Sequence, residues 1–184
     1  MVYTSVQGAE EGTAFSPVVQ SNRQTEADVR ECGLDFAIGR NGIYIEPDIE
    51  AIDDYKAAGE IANCAGKAKC GYTTRSELAF AYARMLTEGS LNGHTLLLHG
   101  EPLTQSALAS HLNSAFGTDL VFRSMSVDEY RADRVAALGD FMGTVIAGIY
   151  EGILNGANDQ PSDYATASGR PHRAWDDYFG SLAT

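Results

Sequence analysis

Hydrophobic and polar positions change their period several times along the chain, and each change marks an element. Val2 to Val6 (Val-Tyr-Thr-Ser-Val) is β-branched and aromatic and predicts a strand that begins almost at the first residue. Gln7 to Pro17 reads as loop. From about Val18 to Cys32 the pattern turns helical, with Gly33 as the stop, and Leu34 to Ile38 is a short apolar run of strand length. Strand, helix and strand with almost nothing between the last two is the rhythm of a βαβ crossover, which implies parallel strands buried on both faces.

Farther on, Asp48 to Ala58 predicts one helix, and Gly66 to Thr73 a loop with a possible strand. Thr74-Arg75-Ser76-Glu77 and Ser126-Val127-Asp128-Glu129 have the spacing of capping boxes, opening helices that end near Gly89 and Leu138. Between them lie a Gly-bounded strand from Gly93 to Gly100, an amphipathic helix from Thr104 to Phe116 closed by Gly117, and a strand over Asp119 to Met125. The remainder is mainly helical: Phe141 to Leu154, a short element near Asp163, and Arg173 to Leu182.

Only two strands of the βαβ kind precede the change of pattern, and no GxGxxG follows an early strand. A doubly wound sheet needs several βα units. The pattern is that of the second half of such a fold.

Charge narrows the partners. Thirteen Lys and Arg against 25 Asp and Glu give a net charge of −12, without a basic cluster, which disfavours nucleic acid and anionic lipid. Cys32, Cys64 and Cys70 have no common metal or redox spacing and suggest reduced thiols in a cytoplasmic protein. The run from Phe141 to Tyr150 is about half the length that a membrane span needs.

Several candidate constellations carry little chemistry. His94, His99, His111 and His172 lack metal-ligand spacing, so no metal site is expected, and neither GxSxG nor HExxH occurs. The acids Asp35, Glu46, Asp48, Glu50, Asp53 and Asp54 read as a solvated helix start rather than an acid/base pair. Gly148, Gly152 and Gly156, four residues apart, either admit a neighbouring backbone or leave room for a ligand. No catalytic residue stands out.

Position points elsewhere. Ser5 and the corner Arg40-Asn41-Gly42 fall at the carboxyl ends of strands in a parallel sheet, where open α/β folds bind ligands. Asn41-Gly42 also suits a type I′ hairpin turn, but Ile43-Tyr44-Ile45 meets Pro47 too soon to pair well. The βαβ rhythm favours the ligand rim.

In Val2-Tyr3-Thr4-Ser5, Thr25-Glu26, and Gly33-Leu34 leading into Arg40-Asn41-Gly42-Ile43-Tyr44, the chain resembles the NmrA-like atypical short-chain dehydrogenase/reductases of the bacterial NAD(P)H:quinone oxidoreductase type. The likeness continues through Thr74 to Ala79, Gly100-Glu101-Pro102-Leu103-Thr104 and Gly169-Arg170-Pro171. It implies an α/β fold: the C-terminal part of a Rossmann-like doubly wound parallel sheet plus a mostly helical substrate-binding region. Residues 1–46 would be the last strands and helix of an NAD(P)-binding domain, and residues 47–184 the substrate-binding region. It also implies that about 100 residues of scaffold, with the main phosphate-binding loop, are missing from this chain.

By the same resemblance, Thr4, Ser5, Asn41, Gly42, Ile43 and Tyr44 would bind NADPH or NADH, and Tyr44, Gly148 and Gly152 would line the cleft for a small quinone-like acceptor. The partners implied are that small molecule and a possible second copy of the chain, with no nucleic acid and no membrane. One departure stands out: family members often carry Lys or His where this chain has Asn22, which cannot deliver a proton at neutral pH. Quinone reduction tolerates that loss, since hydride comes from the cofactor and protons from water. A non-catalytic, dinucleotide-sensing protein is the alternative expectation, and a partial gene product a third.

Overall fold

The structure, a computed structural model, describes residues 1–182. Strand β1 (Val2–Val6) and helix α1 (Pro17–Glu31) follow the sequence pattern. Pro17 opens the helix where no intrahelical N–H is lost, and Gly33, at φ +74°, lets the chain turn away from its end.

Strand β2 runs over Ala37–Asn41, so the expectation of residues 34–38 is corrected by three positions. Its register is set by parallel pairing, Val2 opposite Ala37 through Val6 opposite Asn41. Leu34 is left 62% exposed, while Arg40 sits within the strand because its guanidinium meets the buried Glu26 carboxylate of α1 at 2.7 Å. An ion pair fills that position, and an apolar pattern cannot reveal it.

Strand β3 (Ile43–Tyr44) follows at once and pairs in parallel with Tyr72–Thr73. The Arg-Asn-Gly corner is therefore no hairpin, and the segment judged too short to pair does pair, through a partner nearly thirty residues away. The single helix expected over 48–58 is two, α2 (Glu46–Glu50) and α3 (Ile52–Ala58), parted where Ala51 leaves helical geometry at φ −84°, ψ 7°. Strand β4 (Glu60–Asn63) had no counterpart in the sequence reading; β5 (Lys69–Cys70) and β6 (Tyr72–Thr73) resolve the Gly66–Thr73 loop into two short strands.

Helix α4 (Arg75–Thr87) is capped by Thr74, whose Oγ1 accepts from the Glu77 amide at 3.0 Å. The reciprocal half of that capping box is absent, because the Glu77 carboxylate instead accepts from Arg170 at 2.8 Å and from the Tyr164 hydroxyl. Then come β7 (Thr95–Leu98), β8 (Leu103–Thr104), α5 (Gln105–Phe116), β9 (Val121–Ser124) and α6 (Val127–Leu138). Gly117 in the left-handed region ends α5, and Ser126 and Glu129 form a complete capping box on α6. Helices α7 (Asp140–Leu154), α8 (Tyr164–Ser168) and α9 (Trp175–Gly180) complete the described chain.

The main sheet is parallel, in the order β1-β2-β7. It crosses the boundary expected at residue 46, since β7 completes it. Helix α1 covers one face, through Val29, Glu26 and their neighbours, while Leu78, Ala81 and Met85 of α4 meet Ala37, Leu96 and Leu98 on the other. A second core joins Ile45, Ile61, Tyr72, Leu108, Leu112, Ile153 and Phe179 around the pairs β3/β6, β4/β9 and β5/β8. No helix among the described residues is long and apolar enough to cross a membrane.

Candidate functional site

Alternation along β1 and β2 sends the expected site residues to different sides of the sheet. Ser5 is fully buried on the α1 face, donating to Glu26 Oε1 at 2.6 Å. Glu26, also fully buried, accepts further bonds from Arg40 at 2.9 and 2.7 Å, Arg23 at 3.0 Å and Arg30 at 3.1 Å. Burial by itself raises a carboxyl pKa; here the bonds from Arg40 and Ser5 and the charges of Arg40 outweigh it and hold Glu26 at about 2. Ser5 is thus tied into a structural ion cluster. Thr4, its neighbour, is exposed on the opposite side.

Asn41 belongs to the α4 face. Its Oδ1 accepts from the Tyr82 hydroxyl at 2.6 Å, and its Nδ2 donates to the Tyr44 hydroxyl at 3.0 Å. The Tyr82 hydroxyl is also 2.9 Å from the Gly39 carbonyl, and burial raises its pKa well above the ordinary phenol range, so it stays protonated. The structure therefore joins Asn41 directly to Tyr44 and, on its other side, to Tyr82 of α4, an unanticipated member of a relay in which Asn41 is central.

Gly42 permits a close approach, but of the chain's own backbone. A Cβ there would lie 2.2 Å from the Gly71 carbonyl oxygen and 2.7 Å from His99 Cβ. Gly148 and Gly152 behave alike: a Cβ would lie 1.9 Å from the Phe15 carbonyl oxygen at one and 2.9 Å from Ala9 Cβ at the other. Both carry the loop between β1 and α1. Gly156 lies beyond the end of α7, at φ +82°.

That loop closes a chamber of about 110 Å³ at the carboxyl end of β1, lined by Gln7, Val19, Ile43, Val145, Gly148 and Asn158 among others. Ile43 and Gly148 meet here; Thr4, Ser5, Asn41, Gly42, Tyr44 and Gly152 lie outside the lining. Sequence reasoning missed Gln7 and Asn158. Gln7 follows the end of β1 by one residue, so the positional reasoning applied to Ser5 reaches it if carried two places farther; nothing in the sequence marks Asn158.

A larger, more open groove of about 680 Å³ runs beside the turn after β7, lined by His99, Gly100, Pro161, Tyr164, His172 and Trp175 among others. Burial lowers the pKa of both histidines, so they are neutral at pH 7. The groove follows the carboxyl end of β7 as the chamber follows that of β1, so both stand at the edge of the parallel sheet where α/β folds bind ligands.

Asp48 departs from the solvated helix start expected of it: it is 6% exposed, and its one side-chain partner is the Tyr55 hydroxyl at 2.7 Å. Burial, partly opposed by that bond, lifts its pKa to about 6. The cysteines are free, with Cys32 exposed and Cys64 and Cys70 buried. No group of three or more metal-ligating side chains occurs among the described residues.

No family model matches the chain. In sequence it is 28% identical over 145 residues to the NmrA-like family domain-containing oxidoreductase flvB of Aspergillus flavus, covering 76% of this chain and 47% of that protein. It is 26% identical over 133 residues to Quinone oxidoreductase 2 of Escherichia coli, covering 72% of this chain and 46% of that protein. The crystal structure of that NADPH-dependent quinone oxidoreductase complexed with NADPH matches 98% of this chain and 64% of its own, with TM-score 0.86 and 23% identity. The Citrobacter triphenylmethane reductase complexed with NADP(H) matches the same shares with TM-score 0.84 and 26% identity. The α/β fold is thus that of Rossmann-like NAD(P)-binding reductases. In sequence and in fold, this chain is a homologue of NmrA-like and NADPH-dependent quinone oxidoreductases, and it spans about half the length of the curated relatives it matches.

Proposed function

We propose that the chain is part of an NAD(P)H-dependent oxidoreductase that passes hydride to a small quinone-like acceptor, in the cytoplasm. The observation that carries this reading is the sequence likeness to two oxidoreductases over about three quarters of the chain. The free thiols suit a reducing compartment.

The residues present fit one end of a dinucleotide. At the carboxyl edge of the sheet, Gln7 and Asn158 have buried amide atoms without partners beside an apolar chamber, which suits a nicotinamide or acceptor ring. Asn41, Gly42, Ile43 and Tyr44 would form the neighbouring wall. The pyrophosphate is not served: among the described residues no Gly-rich turn joins a strand to a helix start, and the loop before α1 carries Glu10 and Glu11. When bound, the cofactor would supply the hydride. Division of labour would then give residues 1–46 to cofactor binding and residues 47–184 to the acceptor, although β7 joins the two within one sheet.

Calorimetry on the 184-residue chain should show weak NADPH binding or none. Fusion to the dinucleotide-binding half of the E. coli relative should restore NADPH oxidation with a simple quinone; a fusion that binds NADPH and turns over no acceptor rejects the catalytic reading.

A second reading, a dinucleotide sensor without turnover, is favoured by Asn22. Its Oδ1 accepts from the Tyr3 hydroxyl at 2.8 Å and its Nδ2 donates to the Val18 carbonyl at 2.8 Å. Both groups are occupied, and neither can move a proton at neutral pH. The same turnover assay separates the two.

A further inference from the structure

Another cavity, of about 500 Å³, lies against the β4/β9 pair, between α3, α6 and α7. Tyr55 of α3, Tyr130 of α6 and Tyr150 of α7 line it, with Asn63, Arg123 and Arg134. At 3.6 residues per turn, Tyr150 stands about 100° or more around the α7 axis from Val145, Gly148 and Ile149, which line the chamber at β1. The two cavities therefore occupy different sides of that helix.

Tyr130 and Tyr150 meet edge to face, their ring centroids 5.1 Å apart and their planes at 68°. Their hydroxyls bond to no protein group among the described residues, and neither is sealed from solvent as the orphaned amide atoms of Gln7 and Asn158 are. Burial first, and with it the charge of Asp48, raises the pKa of all three phenols, so the rings are neutral at pH 7.

Behind Tyr55 lies a charge that the fold leaves unanswered. Asp48 is 6% exposed, accepts one side-chain bond, from the Tyr55 hydroxyl at 2.7 Å, and enters no ion pair among the described residues. Burial puts its pKa at about 6, which leaves it charged at pH 7. The other groups that feel its charge are Cys70 of β5, Tyr72 of β6, Tyr130 and Tyr150, all of them neutral there. Buried carboxylates are ordinarily paired with a cation. The two guanidinium groups of the cavity already have carboxylates, Arg123 meeting Glu60 at 2.8 Å and Arg134 meeting Asp133, while Asp54, also in the lining, is exposed and has no ion-pair partner among the described residues. Negative charges thus outnumber positive ones around this space. Arg134 also places its guanidinium carbon 5.6 Å from the Tyr130 ring centroid, so one of these rings already carries a cation on its face.

We propose that this cavity binds a small organic ammonium ion, held against the rings of Tyr55, Tyr130 and Tyr150 and balanced by the charges of Asp48 and Asp54. The quadrupole of a neutral phenol ring attracts a cation, more strongly where water is displaced, and the excess of carboxylates has the matching sign. An anion would meet that excess, and a neutral guest would leave Asp48 unanswered. The site does not depend on the oxidoreductase reading.

The test is titration of the ¹⁵N-labelled 184-residue chain with choline and with 3,3-dimethylbutanol, which has the same shape and no charge, following the backbone amide signals of Tyr55, Asn63, Tyr130 and Tyr150. Choline should give saturable shifts at about pH 7.5, and the neutral isostere should bind at least about tenfold more weakly. Choline keeps its charge at every pH, so a pH dependence belongs to the protein. Its affinity should fall about tenfold between about pH 7.5 and about pH 5 as Asp48 takes up a proton. Asp48→Asn, which keeps an oxygen for Tyr55, should bind with the weaker affinity at both pH values. Arg134→Ala bares the Tyr130 ring and removes a like charge, and should bind about threefold more tightly. If choline gives no saturable shift, if the isostere binds as tightly, or if a folded Asp48→Asn keeps the parent's pH dependence, the proposal is wrong.

Discussion

Glu26→Gln tests the ion cluster that seats β2 on α1. The side chain is fully buried and touches Arg23, Arg30 and Arg40, whose own side chains are 19%, 41% and 25% exposed. Burial opposes the charged form, but the bonds from Arg40 and Ser5 and the charge of Arg40 prevail, taking the pKa from 4.5 to about 2. At ~1.36 kcal/mol per pH unit, that fall is worth about 3 kcal/mol of stability. The folded-state pKa is depressed, so the contribution is complete above pH 4.5 and is lost as pH falls from there through about 2.

Glutamine keeps the shape and removes the charge, leaving Arg40 short of its counterion. Removing one partner of a buried pair costs roughly 3–5 kcal/mol; Arg23 and Arg30 are partly exposed and retain other partners, which favours the lower end. For a urea m-value of about 2 kcal/mol/M, the midpoint at pH 7 should fall by about 1.5 M, and the loss of stability between pH 4.5 and 2 should shrink. Urea unfolding followed by circular dichroism at several pH values measures both. A midpoint within ~0.25 M of the parent at pH 7, with the acid limb unchanged, refutes the assignment of that limb to Glu26.

Asp48 has the opposite sign. Its pKa rises on folding from 3.8 to about 6, so the native state loses stability as pH climbs through that interval, by about 3 kcal/mol at pH 7; Asp48→Asn should recover much of this and flatten the interval in the same urea series. Gly148→Ala should destabilise by about 3 kcal/mol or more, because its Cβ would meet a backbone oxygen at 1.9 Å, whereas Gly156→Ala, with φ +82° and no neighbour within 4 Å, should cost only ~1–2 kcal/mol; thermal melts compare them. Tyr82→Phe leaves Asn41 Oδ1 without its donor and should cost ~1–3 kcal/mol, read by the same melts.

Elements whose stability is local were legible in the sequence. The helices α5 and α6 carry their caps and stops in consecutive residues, Thr104 to Gly117 and Ser126 to Leu138, and fold within those bounds. The short strands were not legible. Two-residue β3, β5, β6 and β8 exist only because a distant segment offers a ladder, and β4 because β9 lies sixty residues ahead. Glu77 shows the same limit on a smaller scale: its capping spacing was correct, yet Arg170 and Tyr164, more than eighty residues away, took its carboxylate.

The candidate site divides along the same line. Its location at the carboxyl edge of a parallel sheet followed from strand order alone, because ligands in such folds bind where the strands end. Its composition did not follow. Ser5 turned to the Glu26 cluster and Asn41 to Tyr82, since successive strand residues face opposite ways and only the packed helices decide what each face meets. Gln7 and Asn158, 151 positions apart, share a chamber that no local pattern encodes. What the sequence by itself determined was the class of fold, the limits of the locally capped helices α5 and α6, and the edge at which to look. The tertiary structure decided which side chains stand at that edge and which of their polar atoms remain unpaired, because contacts between distant segments depend on packing, which residue order specifies only through the fold as a whole.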